Sequence, residues 1–129
     1  MENRLRLVFV LDCADPDSLA DFWASALGYR RGGLHRPYVQ LVDPERRESI
    51  LLLQQVPEPK SGKNRMHLDI QAVDMAAELD RLTGLGAKVL VEPHDDAGFG
   101  TAILADPEGN EFCVIVPPAG YDPYHRLGQ

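Results

Sequence analysis

Asp106-Pro107-Glu108-Gly109-Asn110 reads as a tight turn, and Phe112-Cys113-Val114-Ile115-Val116 behind it reads as a strand. Asp before Pro initiates the turn, and Gly109 is free to take the positive φ that closes it. The same chemistry occurs earlier in the chain. Asp43-Pro44-Glu45 starts a turn ahead of Ser49–Val56, an apolar run ending in Val56-Pro57 as the later one ends in Val116-Pro117. Working outward, each unit is preceded by a helix with matching punctuation. Asp15-Pro16-Asp17 supplies an N-cap, a proline suited to the first helical position, and acid at the positive helix end. Leu19, Phe22, Trp23, Ala26 and Leu27 follow at the spacing of one buried face, and Gly28 stops the helix. Asp74 caps the second helix, which runs through Met75, Leu79 and Leu82 to Gly86.

Strands are expected at Arg4–Asp12, Tyr38–Val42 and Ser49–Val56, then at Met66–Gln71, Lys88–Val91, Gly100–Ala105 and Phe112–Val116. Ile50, Leu51, Leu52 and Leu53 suggest burial on both faces of their strand. Glu92, Asp95 and Asp96 read as a solvated loop, and His35, His94 and His125 as surface residues. The paired features recur in the same order at offsets of 58 to 63 residues. Each half therefore reads β-α-β-β, with room for a further strand after Gly28. One half cannot bury both sides of such a sheet and helix, so the two pack as a pair. The chain is one domain, 1–129, with module 1 at about 3–60, module 2 at about 64–118 and a tail at 119–129.

Composition narrows the function. The 129 residues are 44% hydrophobic and 26% charged, which is ordinary globular usage. Thirteen basic against 20 acidic residues leave a net charge of −7, so nucleic acid and anionic membrane are not expected partners. No apolar run is long enough to span a bilayer, and no signal peptide is read at the start. Two cysteines do not make a disulfide scaffold, and the reducing cytoplasm is the expected compartment.

Asp12-Cys13-Ala14-Asp15-Pro16, Phe22-Trp23 with Leu27-Gly28-Tyr29, Lys63-Asn64-Arg65-Met66-His67-Leu68-Asp69, and Asp106 to Cys113 together resemble the glyoxalase/bleomycin resistance/dioxygenase superfamily, or vicinal oxygen chelate proteins. The resemblance spans residues 5 to 117 and looks like the glyoxalase-like subgroup common in bacteria. It implies an α+β fold of two tandem βαβββ modules, the glyoxalase/bleomycin resistance/dihydroxybiphenyl dioxygenase fold. Curved mixed sheets then form a cup for a small organic molecule, with the helices outside. It also implies a homodimer.

In metal-using members each module gives one ligand from the start of its first strand and one from its last strand, as His, Gln or Glu. Carried over by distance from the helix-capping Asp, the first-strand positions are Val8 and His67. Carried over from the turn Asp, the second last-strand position is Cys113. Its counterpart in module 1 falls on Leu53 or Gln54. This set lacks a carboxylate, so no cofactor is expected, and a divalent metal would have only His67 and Cys113 as an incomplete set. Strand alternation puts His67, Asp69 and Gln71 on one face. His67 and Asp69 are the candidate catalytic pair for isomerase- or lyase-type proton transfer. The structural reading pairs Asp69 with Arg65 or Arg6 instead. Gln54, Gln71, Tyr38, Phe99 and Cys113 complete the expected ligand-binding set, with Tyr121 beside them at the pocket mouth. Phe22 and Trp23 read as core, and Cys13 and Cys113 as small core residues. Three functions compete: a small-molecule cup with isomerase- or lyase-type chemistry, a drug- or metabolite-sequestering protein, and a metal-dependent lyase or dioxygenase.

Overall fold

A computed structural model of the chain describes residues 5–33 and 36–124. Arg4, His35 and His125, named above, lie outside the described residues. The order is β1 (Val8–Cys13), α1 (Pro16–Leu27), β2 (Arg30–Arg31), β3 (Tyr38–Val42), β4 (Ile50–Gln55), β5 (Leu68–Gln71), α2 (Met75–Leu85), β6 (Lys88–Asp96), β7 (Phe99–Ala105) and β8 (Glu111–Val116). Two four-stranded mixed sheets result, ordered β1-β4-β3-β2 and β5-β8-β7-β6. In each, the first strand runs parallel to the last at the sheet edge. The two βαβββ modules repeat one another, as the matching punctuation requires.

The helices start and stop where their caps dictate. Asp15 accepts from Ser18 N–H at 3.2 Å, and Asp74 from Ala77 N–H at 3.1 Å. Gly28 and Gly86 close the two helices at φ 70° and 119°, backbone that a Cβ would strain.

Each sheet buries one face only. Leu51 and Leu53 of β4 and Val39 and Leu41 of β3 are buried under α1, whereas Ile50 and Leu52 point the other way and are half-buried. The expectation that β4 is buried on both faces is therefore corrected: α1 covers a single face. Module 2 buries Phe112, Val114, Ala102 and Leu104, with Leu68 and Ile70 packed against them. Beside the predicted bounds, β6 is longer. His94, Asp95 and Asp96 pair with Thr101, Gly100 and Phe99, so the acidic run is a strand and not a loop. Ala97 and Gly98 have φ of 52° and 92°, the left-handed pair that a two-residue hairpin needs, and this turn lets the ladder continue.

Module 2 holds α1 at both ends and in the middle. Ala14 and Asp15 N–H donate to the Glu108 carboxylate at 2.7 and 2.9 Å, just ahead of the positive helix end. Arg81 of α2 donates to the Ser25 and Ala26 carbonyls at 3.1 and 2.9 Å, at the negative end. Both charges have the sign the helix dipole favours. Between them Trp23 Nε1–H donates to buried Asp106 at 3.0 Å, and the Trp23 and Phe112 rings meet edge-on at 5.0 Å. Asp106 also accepts from Glu108 N–H, Asn110 N–H and the Asn110 amide.

Trp23→Phe keeps a ring against Phe112 but leaves the buried Asp106 carboxylate one donor short. We expect a loss of about 1–3 kcal/mol, read as a lower urea midpoint at unchanged slope. An unchanged midpoint would show that the indole N–H contributes nothing.

Candidate functional site

The uncovered faces carry the candidate residues. On β5, Leu68 and Ile70 turn to the core, so Asp69 and Gln71 face outward, with His67 just ahead of the strand. Asp69 lies directly opposite Cys113 of β8. His67 Nε2 stands 3.2 Å from Asp69 Oδ1, with both side chains near half exposure. The partner of Asp69 is thus His67, not Arg65 or Arg6. One ligand atom from each of His67, Asp69 and Cys113 lies within 4.8 Å of the other two. Cys113 itself is buried. Its thiol is pushed up by burial first and by the Asp69 carboxylate second, so it is held protonated. Cys13, on the core side of β1, is pushed up to about 12 by burial and then by Glu108, Asp106, Asp12 and Asp15.

Among the described residues, module 1 offers no such set. The ladder pairs Val8 with Ile50 and Val10 with Leu52. The residue in the ladder position of Cys113 is therefore Leu52. Leu53 belongs to the core, and Gln54 is one step further along the outward face, opposite Tyr38. Gln54 and Tyr38 are brought to each other but not to His67. Phe99 stacks edge-on against Tyr121 at 5.1 Å, at the start of β7. The expected cup residues thus divide into three places: His67, Asp69, Gln71 and Cys113; Gln54 and Tyr38; and Phe99 with Tyr121.

Two clefts meet at His67. One, of about 750 Å³, runs along the free edge of β5. His67, Asp69 and Gln71 line one wall; Leu27, Tyr29 and Glu48 of module 1 line the other, with Pro123 and Tyr124 of the tail beside them. Tyr29 is fixed by donating its O–H to the Ser49 carbonyl at 2.8 Å. The other cleft, of about 340 Å³, lies between β1 and β5, with Val8, Val10, Met66 and His67 at its sides and Trp23 and Phe112 among its lining. A third, of about 840 Å³, lies under the connection between modules, where Glu108 serves α1. Sequence reading missed Tyr29, Glu48 and Tyr124. Tyr29 follows the helix stop within the quoted Leu27-Gly28-Tyr29, but nothing in the one-dimensional pattern aims the tail at β5.

The model of the glyoxalase-like domain matches residues 8–115. The chain belongs to the glyoxalase-like domain family. Its glyoxalase-like fold is shared by solved structures of low sequence identity. A glyoxalase/bleomycin resistance protein/dioxygenase from Nocardioides matches at 17% identity and TM-score 0.74, over 99% of this chain and 92% of that one. A glyoxalase/bleomycin resistance protein/dioxygenase family enzyme from Burkholderia phytofirmans PsJN matches at 17% identity and TM-score 0.71, over 84% and 95%. TnmS3, an antibiotic binding protein from Streptomyces sp. CB03234, matches at 23% identity and TM-score 0.67, over 91% and 98%. No curated protein matches the sequence. Among the described residues no helix is long and apolar enough to cross a membrane.

Fitting a divalent metal to this glyoxalase-like chain comes down to its donors. On the pattern of metal-using members, Val8 and Leu52 give no donor from module 1. The imidazole, carboxylate and thiol of module 2 form a convergent mixed set of three, with Asp69 added to His67 and Cys113.

With both thiols held protonated, we expect neither Cys13 nor Cys113 to react with iodoacetamide at neutral pH over minutes in the native protein, and both to react in urea. Rapid modification of native Cys113 would contradict this and point to an activated nucleophile.

Proposed function

We propose that the protein binds a small organic molecule in the cleft between β5 and module 1, with His67 and Asp69 as the polar anchor. The observation that carries this reading is the placement of an open imidazole–carboxylate pair, 3.2 Å apart, on the wall of a cleft of about 750 Å³. That volume is in the range of small-molecule sites, and the mix of a few convergent polar groups with apolar walls suits one. Leu27, Met66 and Ile70 offer apolar contact, Tyr29 and Tyr124 offer aromatic faces, and Gln71 a neutral donor and acceptor. Glu48 and Asp69 bias the cleft toward a cationic or hydrogen-bond-donating ligand, in keeping with the net charge of −7. The antibiotic-binding relative supports sequestration as the physiological use of such a cleft. The His67–Asp69 pair favours a second reading, proton transfer of isomerase or lyase type on the bound molecule.

We also propose a homodimer in the cytoplasm. The free edges of β1 and β5 are surrounded by exposed Leu5, Leu7, Val8, Val10 and Met66, and a second copy covers such a surface most simply. Light scattering on micromolar protein should give twice 14.3 kDa; a monomeric mass would refute the dimer.

For the ligand, we expect a cationic aromatic dye such as acridine orange to bind and to raise Tm by several degrees at saturation, through simple linkage. An anionic naphthalene sulfonate should bind at least tenfold more weakly. His67→Ala and Asp69→Asn should each weaken the cation at least fivefold. Equal affinity for both dyes, or unchanged affinity in both variants, would sink the assignment of this cleft.

A further inference from the structure

We propose that the segment 118–124 is an aromatic lid for the cleft along β5, with Tyr121 as its anchor and Tyr124 as its cover. The lid rests on the reading of that cleft as a ligand site. The chain leaves β8 at Val116 and soon reverses. Tyr121 N–H donates to the Pro118 carbonyl at 3.1 Å, with Gly120 at φ 77° in the third position of the turn. A type II turn needs positive φ there, which glycine supplies without strain. The reversal brings the Tyr121 ring edge-on to Phe99 at 5.1 Å.

This contact sits on the same face as the cleft. Ala102 and Leu104 of β7 turn to the core, so Phe99 lies on the outward face, which also carries Asp69 and Gln71. Gln71 is opposite Ile115, and Ile115 is opposite Thr101, so Phe99 and Gln71 stand at the same end of that face. Two strand spacings separate β7 from β5, roughly 10 Å. The three steps from Tyr121 to Tyr124 span about 10 Å of extended chain. The tail therefore crosses from one strand to the other, and Pro123 and Tyr124 reach the cleft beside Asp69 and Gln71.

Two features distinguish a lid from a fixed wall. Tyr121 is 42% exposed in its contact with Phe99, whereas Tyr124 is 90% exposed although it stands at the cleft. A tyrosine ring so placed gains burial when a ligand fills the cleft beneath it, and over a cation its face adds cation–π attraction. The tip is also tied to itself and not to the sheet. Tyr124 N–H donates to the Asp122 carboxylate at 2.8 Å, and among the described residues no hydrogen bond joins 118–124 to the rest of the chain. A short self-bonded segment held by one aromatic contact can swing as a unit, as lids do.

Acridine orange is the probe, mixed with full-length protein in a stopped-flow fluorimeter. We expect Tyr124→Ala and Phe99→Leu each to speed dye release at least fivefold, with entry changed less than twofold. Phe99 is not among the residues lining the cleft, so its effect is that of a positioning residue acting through Tyr121. Phe99→Tyr, which keeps a ring, should release the dye at the wild-type rate. Tyr121→Ser reads the same contact if Phe99→Leu fails to fold. A second readout needs no dye: chymotrypsin should cut after Tyr121 at least fivefold faster in Phe99→Leu than in wild type. Faster release in Tyr124→Ala alone would make that ring a simple contact, overturning the lid while leaving the cleft in place. Unchanged release in both variants, or equal cleavage after Tyr121, would overturn the lid as well. Failure of the dye to bind wild type would overturn the cleft reading and the lid with it.

Discussion

The grip of module 2 on α1 is the constraint on which the rest of the structure depends. Glu108 meets the two amides that lead into the helix, Arg81 meets two of its last carbonyls, and Trp23 reaches Asp106 between them. Arg81 is itself steadied by Glu78, whose carboxyl it holds below the usual range. Three polar contacts with defined directions fix one rigid element from one module against the other. The apolar contacts among Phe22, Trp23 and Phe112 supply burial but would tolerate sliding; the hydrogen bonds set the register.

The same constraint makes the modules unequal. The position in α2 that corresponds to Trp23 is Leu82, which is fully buried but has no N–H to donate. The turn that corresponds to Asp106 begins at Asp43, whose carboxylate accepts only from its own neighbours Glu45, Arg47 and Glu48 among the described residues. So module 1 lends its helix to the joint core, while module 2 provides the turn that binds it. The outward faces diverge in the same sense. Val8, Val10 and Leu52 stand in module 1 where module 2 has His67, Asp69 and Cys113. With the helix faces consumed by the core, the imidazole, carboxylate and thiol that converge in module 2 lie along β5 and on β8 beside it.

Much of this was legible in the sequence because it is local. Asp15, Pro16 and Gly28 bound α1, Asp74 and Gly86 bound α2, and the paired Asp-Pro-Glu turns gave the repeat. Alternation along β5 correctly put His67, Asp69 and Gln71 on one side. What failed was non-local. The cover over Ile50 to Leu53 depends on a helix from elsewhere, so a four-residue apolar run looked doubly buried when only two residues are. The ladder of β6 continues through His94 to Asp96 because a hairpin turn lies beyond it, and charge alone read as loop. The third donor beside His67 and Cys113 was in plain view at Asp69, but only the β5–β8 register shows that it faces the thiol. The register of β4, which the sequence leaves open between Leu53 and Gln54, is fixed only by its partners: Leu53 goes to the core and Gln54 pairs with Tyr38 on the outward face.

A double-mutant cycle of Trp23→Phe and Asp106→Asn, read by urea unfolding of the full chain, tests most directly whether directed hydrogen bonds from module 2 hold α1. The account predicts a coupling of about 0.5–3 kcal/mol between the two positions. Additive losses would contradict it.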